Sequence, residues 1–184
     1  MTRIALSLIA IPAFVLTVLV GSAISAQDKY SVQVPGGVAF SEFRGYEKWQ
    51  AVAVSHAGKL AVILANPEMI DAYQAGIPAN GKPVPDGAKL AKVHWVAKQS
   101  QTAPTPTAVP DTLHDVGFMV KDSKRFADSG GWGYGEFQYD PASDTWRPSN
   151  LDDQPPQAND AKCGLGCHTI VKARDYVFTE YGKR

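Results

Sequence analysis

Neither sign of charge is in excess in this sequence, because Lys and Arg together number 18 and so do Asp and Glu. A protein that binds nucleic acid or an anionic membrane by electrostatics carries a basic excess, which is absent here. No internal repeat is visible, and the length suits one ordinary domain. The composition therefore argues against nucleic acid and anionic membranes as partners, and it is compatible with a small-molecule ligand.

Cysteine is scarce, since Cys163 and Cys167 are the only two in the 184 residues. A zinc site would need a fourth ligand, and no second Cys/His cluster has a recognisable spacing. A disulfide between the two would close a very short loop, which removes little unfolded-state entropy. The pair therefore calls for a third explanation.

Both cysteines lie in the run "CGLGCH", which ends with His168 directly after the second cysteine. Covalent attachment of haem c normally uses C-x-x-C-H, so this run has one residue too many. On a helix, residues three and four apart lie on one face, so both thiols still reach one side of a porphyrin. We therefore interpret Cys163 and Cys167 as thioether ligands of haem and His168 as the iron ligand. A small disulfide loop and another metal remain the alternatives.

The first residues predict an export signal over 1–26. Arg3 precedes an apolar stretch over 4–20, and small residues follow at Ala23 and Ala26, where cleavage is expected. A membrane anchor is the alternative, because the apolar stretch is nearly long enough to span a bilayer. Pro12 and the absence of a basic stop-transfer cluster favour cleavage. We expect a periplasmic protein, in a compartment where both disulfides and covalent haem occur.

The rest of the chain predicts a mainly β (α+β) fold of one domain, an antiparallel sheet with a few short helices and long loops. Residues 27–45 are expected to form a flexible lead-in to a domain over 46–184. A short helix is predicted after Asn66, with Asn66 as N-cap, Pro67 in the first turn and Gly76 at the end. Five segments predict strands: "YEKWQAVAVS", "KLAVILAN", "KLAKVHWVAK", "DVGFMVKD" and "GWGYGEFQYD".

Two long segments predict loops rather than sheet. The stretch "QTAPTPTAVPDT" is rich in proline, which cannot join a sheet interior. The stretch "PASDTWRPSNLDDQPPQAND" is long and mainly polar. The cysteine run after it is predicted to open a helix. Loops this long in a compact domain often line a site.

The chain resembles the cytochrome P-460 family, exported c-type haem proteins with a largely β fold. The likeness runs from about Tyr46 to Tyr181. It rests on "GYEKWQAVAV", "ILANPEMIDAY", "PDGAKLAKVHW", "VKDSKRFADSGGWGYGEF" and the cysteine run followed by "DYVFTEY". The resemblance implies one covalently bound haem c. The family usually has the shorter cysteine spacing, so the extra residue is a departure.

Lys92 matches the lysine that is joined covalently to the porphyrin in hydroxylamine-oxidising members, so the resemblance implies a possible cross-link there. In "KLAKVHWVAK" a strand would place Lys92 and His94 on one face, with Leu90 and Val96. The alternative is a solvated face, where most lysines lie.

The same resemblance places the distal glutamate of the oxidising members at Gly117 and their distal arginine near Ala61, so both side chains are missing. Slow turnover is the expected result, since positioned proton transfer accelerates such reactions. His114 and Asp115 are candidates for proton transfer because they lie close to Gly117 in the sequence. The alternative for both is a polar strand end.

A simple electron-transfer cytochrome has Met or His as the sixth iron ligand. The candidates here lie in no recognisable ligand motif, and we interpret Met69 as helix core and Met119 as strand packing, which predicts an open distal site. The full set of candidates is Met69, Met119, His56, His94 and His114. Aromatic residues that could wall the site are Trp95, Phe118, Trp132, Tyr134 and Phe137.

Three functions follow from these observations. The first is an oxidoreductase that acts on hydroxylamine or nitric oxide and passes electrons to a small acceptor or a redox partner protein. The second is a protein that binds nitric oxide or another gas without turnover, as in the related cytochrome c′-beta group. The third is an exported domain with a disulfide and no cofactor. A homodimer is compatible with each, and no nucleic-acid partner is expected.

Overall fold

The computed structural model of the chain describes residues 27–153 and 161–183, so the predicted signal over 1–26 lies outside the described residues. Six strands form one antiparallel sheet in which every neighbour in space is also the neighbour in sequence. They are β1 Gln50–Ala57, β2 Lys59–Ala65, β3 Lys89–Gln99, β4 Ala108–Lys121, β5 Trp132–Asp140 and β6 Thr145–Pro148. The predicted mainly β fold of one domain is confirmed.

Two α-helices accompany the sheet, α1 Pro67–Gln74 and α2 Ala161–His168. As predicted, Asn66 caps α1, its side-chain oxygen accepting from the Met69 amide at 3.1 Å, and Gly76 follows with φ of 79°. The cysteine run forms α2, also as predicted. Short 3₁₀ turns lie at Lys29–Ser31, Phe40–Phe43, Tyr46–Lys48, Ala127–Ser129 and Thr169–Arg174. Among the described residues, no helix has the length and hydrophobicity that a membrane crossing requires.

The segment 27–45 covers one face of the sheet and is not the flexible lead-in that the sequence predicted. Val34, Val38, Phe40 and Phe43 are all buried. The ring of Phe43 stacks on Phe118 of β4, with ring centroids 4.0 Å apart. The turn residues of "VPGG" suggested flexibility, but the apolar residues on both sides of that turn bury the sheet face. This face forms the main hydrophobic core.

Two predicted loops contribute short pieces of strand. β4 begins within the proline-rich stretch, and Pro110 pairs with Ala97 of β3. Proline is tolerated because β5 pairs with β4 only from Asp115 onward, so the missing N–H faces no second strand. β6 lies within the polar stretch and pairs with the end of β5. The end of that stretch, residues 154–160, lies outside the described residues.

The opposite face of the sheet is organised in rows across three strands. From β3 through β4 to β5 the rows read Leu90, Met119 and Tyr134; Lys92, Gly117 and Glu136; and His94, Asp115 and Gln138. Successive rows are about 7 Å apart, because side chains of one face recur every second residue. α2 packs against β5 at the first row. The space between these rows and the C-terminal segment forms a cavity.

Candidate functional site

The cavity has a volume of about 500 Å³ and lies between the sheet and the C-terminal segment. The sheet contributes mainly the first two rows and His94, and the C-terminal segment contributes α2 and the extended chain after it. Residues that line it from that segment are Gly164, Cys167, His168, Val177, Phe178 and Thr179. Residues far apart in the sequence therefore meet at one site, including Lys92 and His168.

Both cysteines lie on α2 and neither forms a disulfide in this structure. Cys167 lines the cavity, and Cys163 lies one turn earlier and is half-buried. Gly164 between them lies against Tyr134, because a Cβ at this position would lie 2.5 Å from the Tyr134 ring. A Cβ at Gly166 would meet no atom within 4 Å. The first glycine is therefore required by the close approach of α2 to β5, and the second is not.

The ring of His168, the last residue of α2, is fixed in position and is neutral. Its Nδ1 lies 2.7 Å from the carbonyl oxygen of Tyr176, which can only accept, so Nδ1 is the donor. Burial lowers the pKa of His168, which favours the neutral ring. The remaining nitrogen, Nε2, then has a free lone pair. This arrangement, with the second ring nitrogen fixed by a carbonyl, is typical of metal-ligating histidines.

The loop that holds His168 is anchored by a buried ion pair. Lys121 Nζ lies 2.9 and 2.8 Å from the two carboxylate oxygens of Asp175. Asp175 also accepts from the Val84 amide at 2.8 Å, and its carbonyl accepts from Trp132 Nε1 at 2.8 Å. Because Asp175 precedes Tyr176 directly, these bonds fix the carbonyl that orients His168.

Replacing Lys121 by Met is expected to lower the free energy of unfolding by about 3 to 5 kcal/mol, because Asp175 would be left buried without its partner. Chemical denaturation measures this. The control is Lys98→Met, which removes an exposed pair with Asp111 (2.7 Å) and should leave the free energy of unfolding almost unchanged. An equal decrease in the free energy of unfolding in the two variants would show that the Lys121–Asp175 pair stabilises the fold no more than an exposed pair does.

Glu136 places a carboxylate in the cavity that sequence reasoning missed. Its side chain is 9% exposed, and its Oε1 has no hydrogen-bond partner among the described residues. Burial, assisted by the charge of Asp115, raises the pKa of Glu136 to about 8, although Lys92 and Lys59 act in the opposite direction. The group therefore exchanges a proton close to neutral pH.

Glu136 lies beside the position where the resemblance expected a glutamate. Gly117 is its cross-strand partner, and a Cβ at Gly117 would lie 3.5 Å from Glu136 Oε2. The expectation that no carboxylate lies here is therefore wrong, because a neighbouring strand provides one. Alternation along "WGYGEFQYD" puts Glu136 on the same face as Trp132 and Tyr134, and that was the signal available in the sequence.

His114 and Asp115 form a cluster with His94 and are not a polar strand end. Asp115 is fully buried. One of its oxygens bonds Nδ1 of His94 in a short contact, and the other lies 2.5 Å from Nδ1 of His114. His94 lines the cavity, as does Lys92, so the predicted common face of β3 points to the site. Lys92 itself is otherwise exposed.

The other sequence candidates divide between cavity and core. Tyr134 lines the cavity, and Phe118 contacts it although its ring stacks on Phe43 in the main core. Trp132 and Phe137 are buried in the hydrophobic clusters, and Trp95 packs on the opposite face. Met69 is fully buried core, as interpreted. Met119 packs against the second hydrophobic cluster, as interpreted, and also lines the cavity.

The residues at the cavity fit a haem of the c type. His168, whose Nε2 has a free lone pair, and Cys167 lie on one wall, and Cys163, which is in no disulfide, lies one turn earlier. Two buried polar atoms at the cavity, Glu136 Oε1 and Tyr134 Oη, lack partners among the described residues. Unpaired buried polar atoms of this kind are expected where a ligand binds.

The chain matches a known protein family. A family model described as cytochrome P460 matches residues 43–179, which is most of the chain. No curated relative matches the chain significantly. The match includes the sheet, α1, α2 and every residue of the cavity named above.

Proposed function

Because the chain belongs to the cytochrome P460 family of c-type haem cytochromes, we propose that it oxidises hydroxylamine and passes the electrons to a small acceptor or a redox partner protein. The observation that carries this proposal is Glu136, an unpaired carboxylate in the cavity whose pKa is about 8. A protein that only binds a gas has no need of a proton acceptor there.

Three residues would hold the haem. Cys163 and Cys167 would form the thioethers, and Nε2 of His168 would bind the iron. When bound, the haem would supply a redox-active iron that accepts electrons from the substrate. The Tyr176 carbonyl keeps the His168 ring in place for this role.

Glu136 would take protons from the substrate. Oxidation of hydroxylamine to the level of HNO releases two protons and two electrons for each molecule, so a base is needed beside the bound nitrogen. A carboxylate with a pKa of about 8 is a much stronger base than an ordinary glutamate. Gly117 leaves room beside it for a small substrate.

Lys92 would be joined to the porphyrin edge. It lines the cavity two residues before His94 and faces Glu136 across Gly117. A bond between the lysine and the porphyrin would change the electronic structure of the macrocycle, which is one of the ways a protein tunes iron reactivity.

Replacing Lys92 by Ala is expected to abolish both the red-shifted ferrous band that such a cross-link produces and the oxidation of hydroxylamine. Lys98→Ala, on the exposed end of the same strand, is the control and should change neither. Optical spectra of the ferrous holoprotein measure the first effect. A wild-type spectrum like that of an ordinary c-type cytochrome, unchanged in Lys92→Ala, would contradict the cross-link.

The function is tested with purified holoprotein, hydroxylamine and a dye that accepts electrons. We expect reduction of the dye in proportion to the hydroxylamine consumed. Binding of nitric oxide without any reduction of the dye would overturn the proposal and favour the gas-binding function instead.

A further inference from the structure

A chain of three side chains runs from the cavity to the surface. We infer that His94, Asp115 and His114 form a proton relay between the cavity and solvent. The inference rests on the proposed function, because it provides an exit for the protons that hydroxylamine oxidation releases. It adds two residues, His114 and Asp115, that do not themselves line the cavity.

The inner end of the relay is His94 on β3. It lines the cavity and is nearly buried. Its Nδ1 is engaged by Asp115, so Nε2 is the nitrogen left to exchange protons with groups in the cavity. Glu136 lies one row away, and Gly117 between them carries no side chain that would block the passage.

The middle of the relay is Asp115, whose two oxygens each contact a different imidazole. It is 0% exposed, so its carboxylate makes no contact with bulk water. A buried carboxylate between two histidines offers a continuous line of hydrogen bonds in a region of low dielectric, where such bonds are strong. An ordinary structural ion pair needs only one of these two histidines.

The outer end is His114, whose side chain is 28% exposed. It lies near Asp153, which Arg147 holds with two bonds of 2.8 and 2.6 Å, and the charge of His114 acts on this carboxylate. Nδ1 of His114 contacts Asp115, so Nε2 is free to exchange with water.

The transfer balances in protons and moves no electrons. At rest, Nδ1 of His94 donates to Asp115, and His114 is an imidazolium whose Nδ1 proton is donated to the second carboxylate oxygen. A proton taken up at Nε2 of His94 displaces the Nδ1 proton onto Asp115, while His114 loses its Nε2 proton to water. One proton enters and one leaves. The chain is reset when the proton of each ring moves to its other nitrogen and Asp115 returns its proton to Nδ1 of His114.

Proton NMR of the diamagnetic ferrous carbon monoxide complex tests the bonds themselves. We expect two signals downfield of the amide region, one for each Nδ1 proton. Asp115→Asn should remove both, and His114→Gln should remove one. His56→Gln, at an exposed histidine of β1, should leave both in place. The absence of both signals from the wild type would overturn the relay.

Proton transfer is tested without hydroxylamine by a rapid drop of pH from about 9 to about 7, across the pKa of Glu136. Infrared spectroscopy follows the carbonyl band of the protonated carboxyl, which Glu136→Gln identifies by its loss. We expect His114→Gln to slow the appearance of this band about tenfold or more, and added imidazole to restore it. Asp115→Asn should slow it with no recovery, because imidazole cannot reach a buried position.

The outcomes separate the relay from the proposed function. Rates that are unchanged in both variants would overturn the relay, whatever the protein does with hydroxylamine. A wild type that fails to oxidise hydroxylamine but shows the expected rates would overturn the function and keep the relay. Asp115→Asn could fail to fold because Asp115 is buried. In that case the slower rate in His114→Gln, and its restoration by added imidazole, still test the relay, because the His114 side chain is partly exposed.

Discussion

Replacing Cys163 and Cys167 together by Ala will leave the exported protein with the mass of its bare mature chain, whereas the unaltered chain will carry the added mass of one haem. Both cysteines lie on α2, Cys167 at the wall of the cavity and Cys163 one turn earlier, and His168 would bind the iron. Mass spectrometry after expression with a c-type maturation system measures the difference. A wild type with the bare mass and a disulfide would contradict this prediction and favour the cofactor-free alternative.

The two glycines between the cysteines provide a matched pair for the same measurement. Gly164→Ala should reduce haem incorporation severely, because its Cβ would lie 2.5 Å from Tyr134 and would push α2 away from β5. Gly166→Ala should have little effect, because its Cβ would meet nothing within 4 Å. Equal incorporation in the two variants would show that the packing of α2 on β5 does not position the attachment site.

Replacing Glu136 by Gln is expected to lower hydroxylamine turnover about a hundredfold or more, because a positioned base contributes at least that much. The wild-type rate should rise as pH increases through about 8, where Glu136 loses its proton, and this rise should be absent in Glu136→Gln. Steady-state rates over a range of pH measure both effects. A variant that keeps the wild-type rate would show that Glu136 is not the base.

Stability distinguishes this loss of activity from a loss of fold. The pKa of Glu136 is raised in the folded state, so the unfolded chain loses this proton first as pH increases from the ordinary value of 4.5. The folded state is therefore progressively destabilised up to about pH 8, by on the order of 4 to 5 kcal/mol. Glu136→Gln should raise the free energy of unfolding at alkaline pH, whereas Glu180→Gln, at an exposed position, should not.

The structure also reverses an expectation about Gly117. The resemblance suggested that a glutamate at this position would raise activity. A Cβ there would lie 3.5 Å from Glu136 Oε2, so Gly117→Glu would place a second carboxylate against the first. Like charges at this distance raise the pKa of one partner and disfavour its ionisation. We therefore expect Gly117→Glu to lower turnover.

Local sequence determined the helices and strands, and it identified the cysteine run. The cap at Asn66, the alternation along β3 and the helical character of "CGLGCH" depend on neighbours within a few residues, so they are visible without a fold. The same holds for the common face of Lys92 and His94. Each of these predictions needed only the period of a helix or a strand.

Tertiary structure alone decided what surrounds those residues. Glu136 reaches the place left by Gly117 because β5 pairs with β4 in one particular register, and a slip of one residue would turn its side chain to the other face. Asp115 is buried between two histidines for the same reason, and the Tyr176 carbonyl meets His168 only through the loop held by Lys121. Register and long-range packing follow from the balance of the whole core, which no short stretch of sequence contains.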